Sequence, residues 1–124
     1  MDALKVTLVK ALLRITAALP ISIARAAGRA TASIYWQLGG RGRDVTERNI
    51  SLAYPRLDTV AQRKLARRSI AATGELMAEM GHIWLRPWDY LEARLNVEGE
   101  QVILDALASG RGVLVLAPHQ GNWE

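Results

Sequence analysis

Between Ala3 and Leu19 the apolar residues Leu4, Leu8, Leu12, Ile15 and Leu19 recur every three or four positions, the period of one face of an α-helix. Lys10, Arg14 and Ala17 fall away from that face, which predicts an amphipathic helix with a basic polar side. Pro20 breaks the pattern, and a second helix is expected from Ile21 to Leu38, with Arg25 and Arg29 one turn apart. Gly39-Gly40-Arg41-Gly42-Arg43 reads as a flexible basic joint; no strand precedes it and no Lys-Ser/Thr follows it, so it does not qualify as a phosphate loop. Asp44 with Glu47 is expected to open a helix that reaches about Ala53 and ends before Pro55. Thr59-x-x-Gln62 has the form of a capping box, and a long helix follows it to about Trp84. Leu65, Ala72, Leu76, Met80 and Ile83 form the expected core stripe of this helix, and Lys64, Arg67 and Arg68 its solvated side. His82, near its end and without a second ligand at metal spacing, is read as structural or as a partner of the helix dipole.

Beyond Pro87 the pattern changes. Arg94 to Val97 is expected to form a strand, Glu100 to Ala108 a helix closed by Gly110, and Val113 to Ala117 a second strand whose unbroken apolar run suits burial on both faces of a parallel sheet. The expected fold class is therefore α/β, with amphipathic and core helices followed by the first strand-helix-strand unit of a sheet. Two regions are expected, 1–43 as membrane-associating helices with a basic linker, and 44–124 as the N-terminal part of a domain that is incomplete in this chain.

Charge sharpens the reading of the first region. Residues 1–43 carry seven Lys and Arg against Asp2 alone, a net +6, while the remaining 81 residues sum to −2. Basic charge on apolar helices points to an anionic membrane surface, with Lys5, Lys10, Arg14, Arg25 and Arg29 as contacting residues. No nucleic-acid motif or basic patch interleaved with aromatics competes with that reading. No uncharged run here exceeds eleven residues, and Ile15 to Ala24 is ten, about half of what a span requires, so these helices are expected to lie in the interface. Arg14 also interrupts the apolar core that a cleavable signal peptide would need.

Candidate chemistry gathers at the end of the chain. Pro118-His119-Gln120-Gly121-Asn122-Trp123-Glu124 follows the apolar run, which places His119 just past the carboxyl end of the expected strand, where ligands bind in open parallel sheets. On a straight helix His119 and Glu124 would lie about 140° apart, so they can meet only across a turn. Pro118 disfavours helix at Ala117, and Gly121 and Asn122 tolerate the dihedrals that a reversal needs. A neutral imidazole held by a carboxylate suits removal of a proton from a hydroxyl. The chain has no cysteine and no Gly-x-Ser-x-Gly, which removes thiol and hydrolase-type serine nucleophiles and leaves direct attack by an acceptor hydroxyl. Neither a metal nor an organic cofactor is called for.

Leu95-Asn96-Val97-Glu98-Gly99, the helical segment after it, and Gly110 through Glu124 together resemble the late acyltransferases of lipid A biosynthesis. These are lauroyl and myristoyl transferases of the lysophospholipid acyltransferase superfamily, marked by a His-x4-Asp/Glu box. Arg48-Asn49-Ile50-Ser51-Leu52-Ala53-Tyr54-Pro55 is similar to a family segment in which an Arg-Asn pair precedes a Leu-Cys-Phe-Pro-like tetrapeptide, although Ala53 and Tyr54 replace its Cys and Phe. Gly74-Glu75-Leu76 and the region of Trp84 fall where the family has a long helix, so the resemblance covers roughly residues 40–124.

The resemblance implies an acyltransferase at the cytoplasmic face of the inner membrane. It would transfer a fatty acyl chain from an acyl carrier protein thioester to a hydroxyl of a glycolipid such as a lipid A precursor, in the biosynthesis of outer-membrane lipopolysaccharide. In it His119 would be the base, Glu124 would orient and charge the imidazole, and Gly121 and Asn122 would shape the turn. The same box would serve another glycolipid acyltransferase, such as one acting on phosphatidylinositol mannosides. A membrane-associated fragment without catalysis is the reading from another class. Because the chain stops inside the motif, it is expected to be the N-terminal part of a longer enzyme and inactive by itself.

Overall fold

The computed structural model describes residues 3–110 and 112–116. The chain divides into two units, residues 1–85 and 86–124.

In the first unit, α1 (Ala3–Ala18), α2 (Ile21–Leu38) and α3 (Arg41–Ala53) all pack against α4 (Thr59–Leu85), a 27-residue helix about 40 Å long. Two of the expected helices appear with little or no change in their bounds, because the residues that stop them act locally. Pro20 precedes α2 and cannot continue α1, and Gly39 and Gly40 follow α2 with φ of 74° and 111°, which side chains with a Cβ rarely adopt.

The joint is shorter than the sequence suggests. Helix α3 already starts at Arg41, with Gly40 in the cap position and its carbonyl accepting the Asp44 N–H, so Asp44 lies inside the first turn. Helix α4 is capped by Asp58 and not by Thr59: the Asp58 carboxylate accepts the Ala61 N–H at 2.8 Å. Gln62 is free of the cap and donates instead to the Tyr54 carbonyl at 3.0 Å, tying the end of α3 to the start of α4.

Small residues form the core. The buried apolar side chains are Ala17, Ala24, Ala32, Trp36, Ala66 and Ala78. Gly28 of α2 and Gly74 of α4 meet where the helices cross, each in space that a Cβ on the other helix would fill. The seam of α4 runs through Ala66, Gly74 and Ala78 to Gly81 and His82, whereas Leu65, Leu76, Met80 and Ile83 are half-buried and Ala72 is exposed. Close backbone approach favours the small positions, and the larger apolar stripe flanks them.

On α1, too, small or short positions face α4. Leu13, Thr16 and Ala17 pack on α4, where a Cβ at Gly81 would collide with the Thr16 hydroxyl and the Leu13 carbonyl. Leu4, Leu8, Leu12 and Ile15 remain 59–69% exposed. The apolar stripe of α1 thus points out of the bundle.

In the second unit, α5 (Trp88–Glu92) follows Pro87 and α6 (Glu100–Ala108) has the bounds expected for it. The α/β expectation is not met, since no strand occurs among the described residues. After α5 the chain turns, with the Arg94 N–H bonded to the Leu91 carbonyl and the Leu95 N–H to that of Glu92, and residues 95–98 have no regular structure. Residues 113–116 are equally irregular, with Leu114 88% and Leu116 85% exposed. A strand exists only through a neighbour that takes its N–H and C=O groups, and these two segments do not pair. Ala117 lies outside the described residues.

Candidate functional site

His119, Gly121, Asn122 and Glu124, the residues on which the sequence places catalysis, lie outside the described residues. The other histidine, His82, is 2% exposed in the last turn of α4, next to Gly81 where α1 crosses. A ring so enclosed cannot reach a substrate hydroxyl. Its position fits the structural role expected for it. No group of three or more His, Cys, Asp or Glu side chains able to hold a metal occurs among the described residues.

The five basic residues assigned to a membrane surface separate into two sets. Arg25 donates from Nε to Glu79 at 2.5 Å, and Arg29 meets Glu75 at 3.1 Å, so these two cations clip α2 to α4. Their side chains are about half exposed, which limits each pair to a modest share of stability. Lys5, Lys10 and Arg14 are exposed on α1, and Lys10 and Arg14 have no carboxylate partner among the described residues. Lys10 and Arg14 therefore offer charge that a membrane could use without breaking an ion pair to a described carboxylate. No helix among the described residues is long and apolar enough to cross a membrane.

Sequence reasoning missed a groove. Between α1, α2, α3 and α4 lies an open cavity of about 550 Å³, with Leu12, Ala27, Tyr35, Ile70 and Met77 among its lining residues. Four threonines also line it, which would ordinarily make a polar surface. Each spends its hydroxyl on its own helix: Thr16 donates to Leu13, Thr31 to Ala27, Thr46 to Gly42 and Thr73 to Ser69, at 2.8–3.1 Å. With its threonine hydroxyls engaged in this way, and the Tyr35 hydroxyl lying against Gly42, the groove suits a hydrocarbon better than a polar ligand. The available signal was the spacing of four in Ala24, Gly28 and Ala32 and in Gly74 and Ala78, which marks helices brought close by small residues.

At the far end of α2, Trp36 is buried and the Arg43 guanidinium lies 4.7 Å from its ring. Arg43 also donates to the Trp36 carbonyl and to Glu47, and Glu47 lies 3.8 Å from Arg63 of α4. This network holds α3, and with it Thr46, against the groove.

No curated protein and no solved structure matches the chain. The sequence pattern of one family matches residues 2–124, and on that match the chain belongs to the bacterial lipid A biosynthesis acyltransferases.

Proposed function

We propose that the complete protein transfers a fatty acyl chain from an acyl carrier protein thioester to a hydroxyl of a glycolipid, a lipid A precursor, at the cytoplasmic face of the inner membrane. His119 removes the proton from the acceptor hydroxyl, the oxygen attacks the thioester carbonyl, and the thiol of the carrier leaves. Glu124 holds the imidazole and stabilises its charged form. Family membership supports acyl transfer in glycolipid biosynthesis. Donor, acceptor, residue roles and location are our reading.

The observation that carries this reading for the described residues is the groove. Its volume lies in the range of small-ligand sites, and its threonine hydroxyls are bonded internally. Leu12 belongs both to its lining and to the outward stripe of α1, so an apolar path leads from the helix surface into it. We assign the groove to an acyl chain of a substrate.

Ala27→Trp tests the assignment from an exposed position on the rim, without loading the core. In an acyl transfer assay of the complete enzyme, the variant should turn from longer donors or acceptors toward shorter ones, by about fourfold per methylene excluded. An unchanged chain-length profile would remove the groove from the mechanism while leaving the role of His119 to its own test.

A further inference from the structure

Arg86, Tyr90 and Arg94 form a cluster in the second unit that acyl transfer, as read above, does not use. The guanidinium carbon of Arg94 lies 3.7 Å from the centroid of the Tyr90 ring and that of Arg86 lies 5.1 Å from it. Arg94 is further fixed by donating from Nη1 to the Tyr90 carbonyl at 2.7 Å. The Nε of Arg86 is enclosed and has no hydrogen-bond partner. Neither arginine has a carboxylate within ion-pair distance among the described residues. Asp89 and Glu92 belong to the same short helix, but one and two residues from Tyr90 they point about 100° and 200° away from it.

Two cations on one ring repel each other, and a guanidinium keeps its charge at any physiological pH. The ring holds both planes in place while their remaining N–H groups stay available. That is a preorganised fork for an anion with several oxygens, because a guanidinium donates two parallel hydrogen bonds to phosphate geometry. Trp88, 62% exposed two residues from Tyr90, adds an indole of the kind that settles at a membrane-water boundary. We propose that Arg86 and Arg94, braced on Tyr90, bind the phosphomonoester of an anionic lipid headgroup. The site is separate from the basic face of α1 and does not depend on the acyl transfer reading.

The test is sedimentation of the full chain with phosphatidylcholine vesicles carrying either phosphatidic acid, a monoester, or phosphatidylglycerol, a diester, at matched surface charge. Phosphatidic acid should bind about tenfold more tightly, since it offers more oxygens to the two forks. Arg86→Lys with Arg94→Lys keeps the charge and removes the planar forks, so it should bring the preference within about twofold and leave phosphatidylglycerol binding unchanged. Should that variant fail to fold by circular dichroism, Arg94→Lys alone, at an exposed position, is expected to lose most of the preference. Displacement by millimolar inorganic phosphate would assign recognition to the phosphate itself; persistence of the arginine-dependent preference under that competition would assign it to the lipid headgroup. Equal binding of the two lipids by the unaltered protein, or an undiminished preference in the lysine variants, overturns the proposal.

Discussion

Gly74 of α4 meets Gly28 of α2 so closely that a Cβ on Gly74 would sit 2.5 Å from the Gly28 carbonyl oxygen and 2.8 Å from the Ala32 Cβ. Arg25–Glu79 and Arg29–Glu75 link the same pair of helices on the surface. Gly74→Ala gains about 1 kcal/mol of helix propensity but adds a methyl where overpacking costs about 1–3 kcal/mol. A net loss of up to about 2 kcal/mol is expected in urea unfolding. An unchanged or raised midpoint would show that the two helices part without cost.

The ion pairs change what charge neutralisation should do at a membrane. Lys10→Gln with Arg14→Gln should weaken binding to anionic vesicles by about 1 kcal/mol per charge, because both side chains are exposed and lack carboxylate partners. Arg25→Gln with Arg29→Gln should weaken it far less, since those charges already face Glu79 and Glu75. Vesicle flotation decides between the two. A larger effect from the α2 pair would mean that the membrane face had been assigned to the wrong helix.

His82→Ala should cost about 2–4 kcal/mol of stability, because it leaves a cavity where α1 crosses α4 at Gly81. Turnover of the complete enzyme should stay within about threefold at temperatures where the variant remains folded, since a ring 2% exposed cannot touch substrate. Thermal unfolding and an acyl transfer assay on the same sample separate the two effects. A large loss of turnover with folding intact would give His82 a part in the chemistry.

His119→Ala in the complete enzyme should lower turnover by about a hundredfold to ten-thousandfold while glycolipid binding persists. Glu124→Gln keeps the shape and removes the charge, and should cost less. The double variant should cost little more than His119→Ala, because residues that act as one unit are not additive. Fully additive losses would separate the two residues into independent roles.

What the sequence determined by itself is the part of the molecule built from local interactions. Helices α2 and α6 have the bounds read from Pro20, Leu38, Glu100 and Ala108, since a helix satisfies its backbone within its own segment and its stops act over one turn. The His-x4-Glu box and the family were legible in the residue pattern as well. Only the tertiary structure decided which faces are buried. The Leu4, Leu8, Leu12 and Ile15 stripe of α1 is exposed and Ala17 is the residue turned inward, because Gly81 allows a closer approach than leucines permit. The groove and the Arg86–Tyr90–Arg94 cluster depend on side chains from several turns or helices meeting, which no single segment encodes. The expected strands failed for the complementary reason: Arg94–Val97 and Val113–Leu116 have a suitable composition, but a strand is stabilised by hydrogen bonds to a neighbouring segment, and neither segment supplies them to the other.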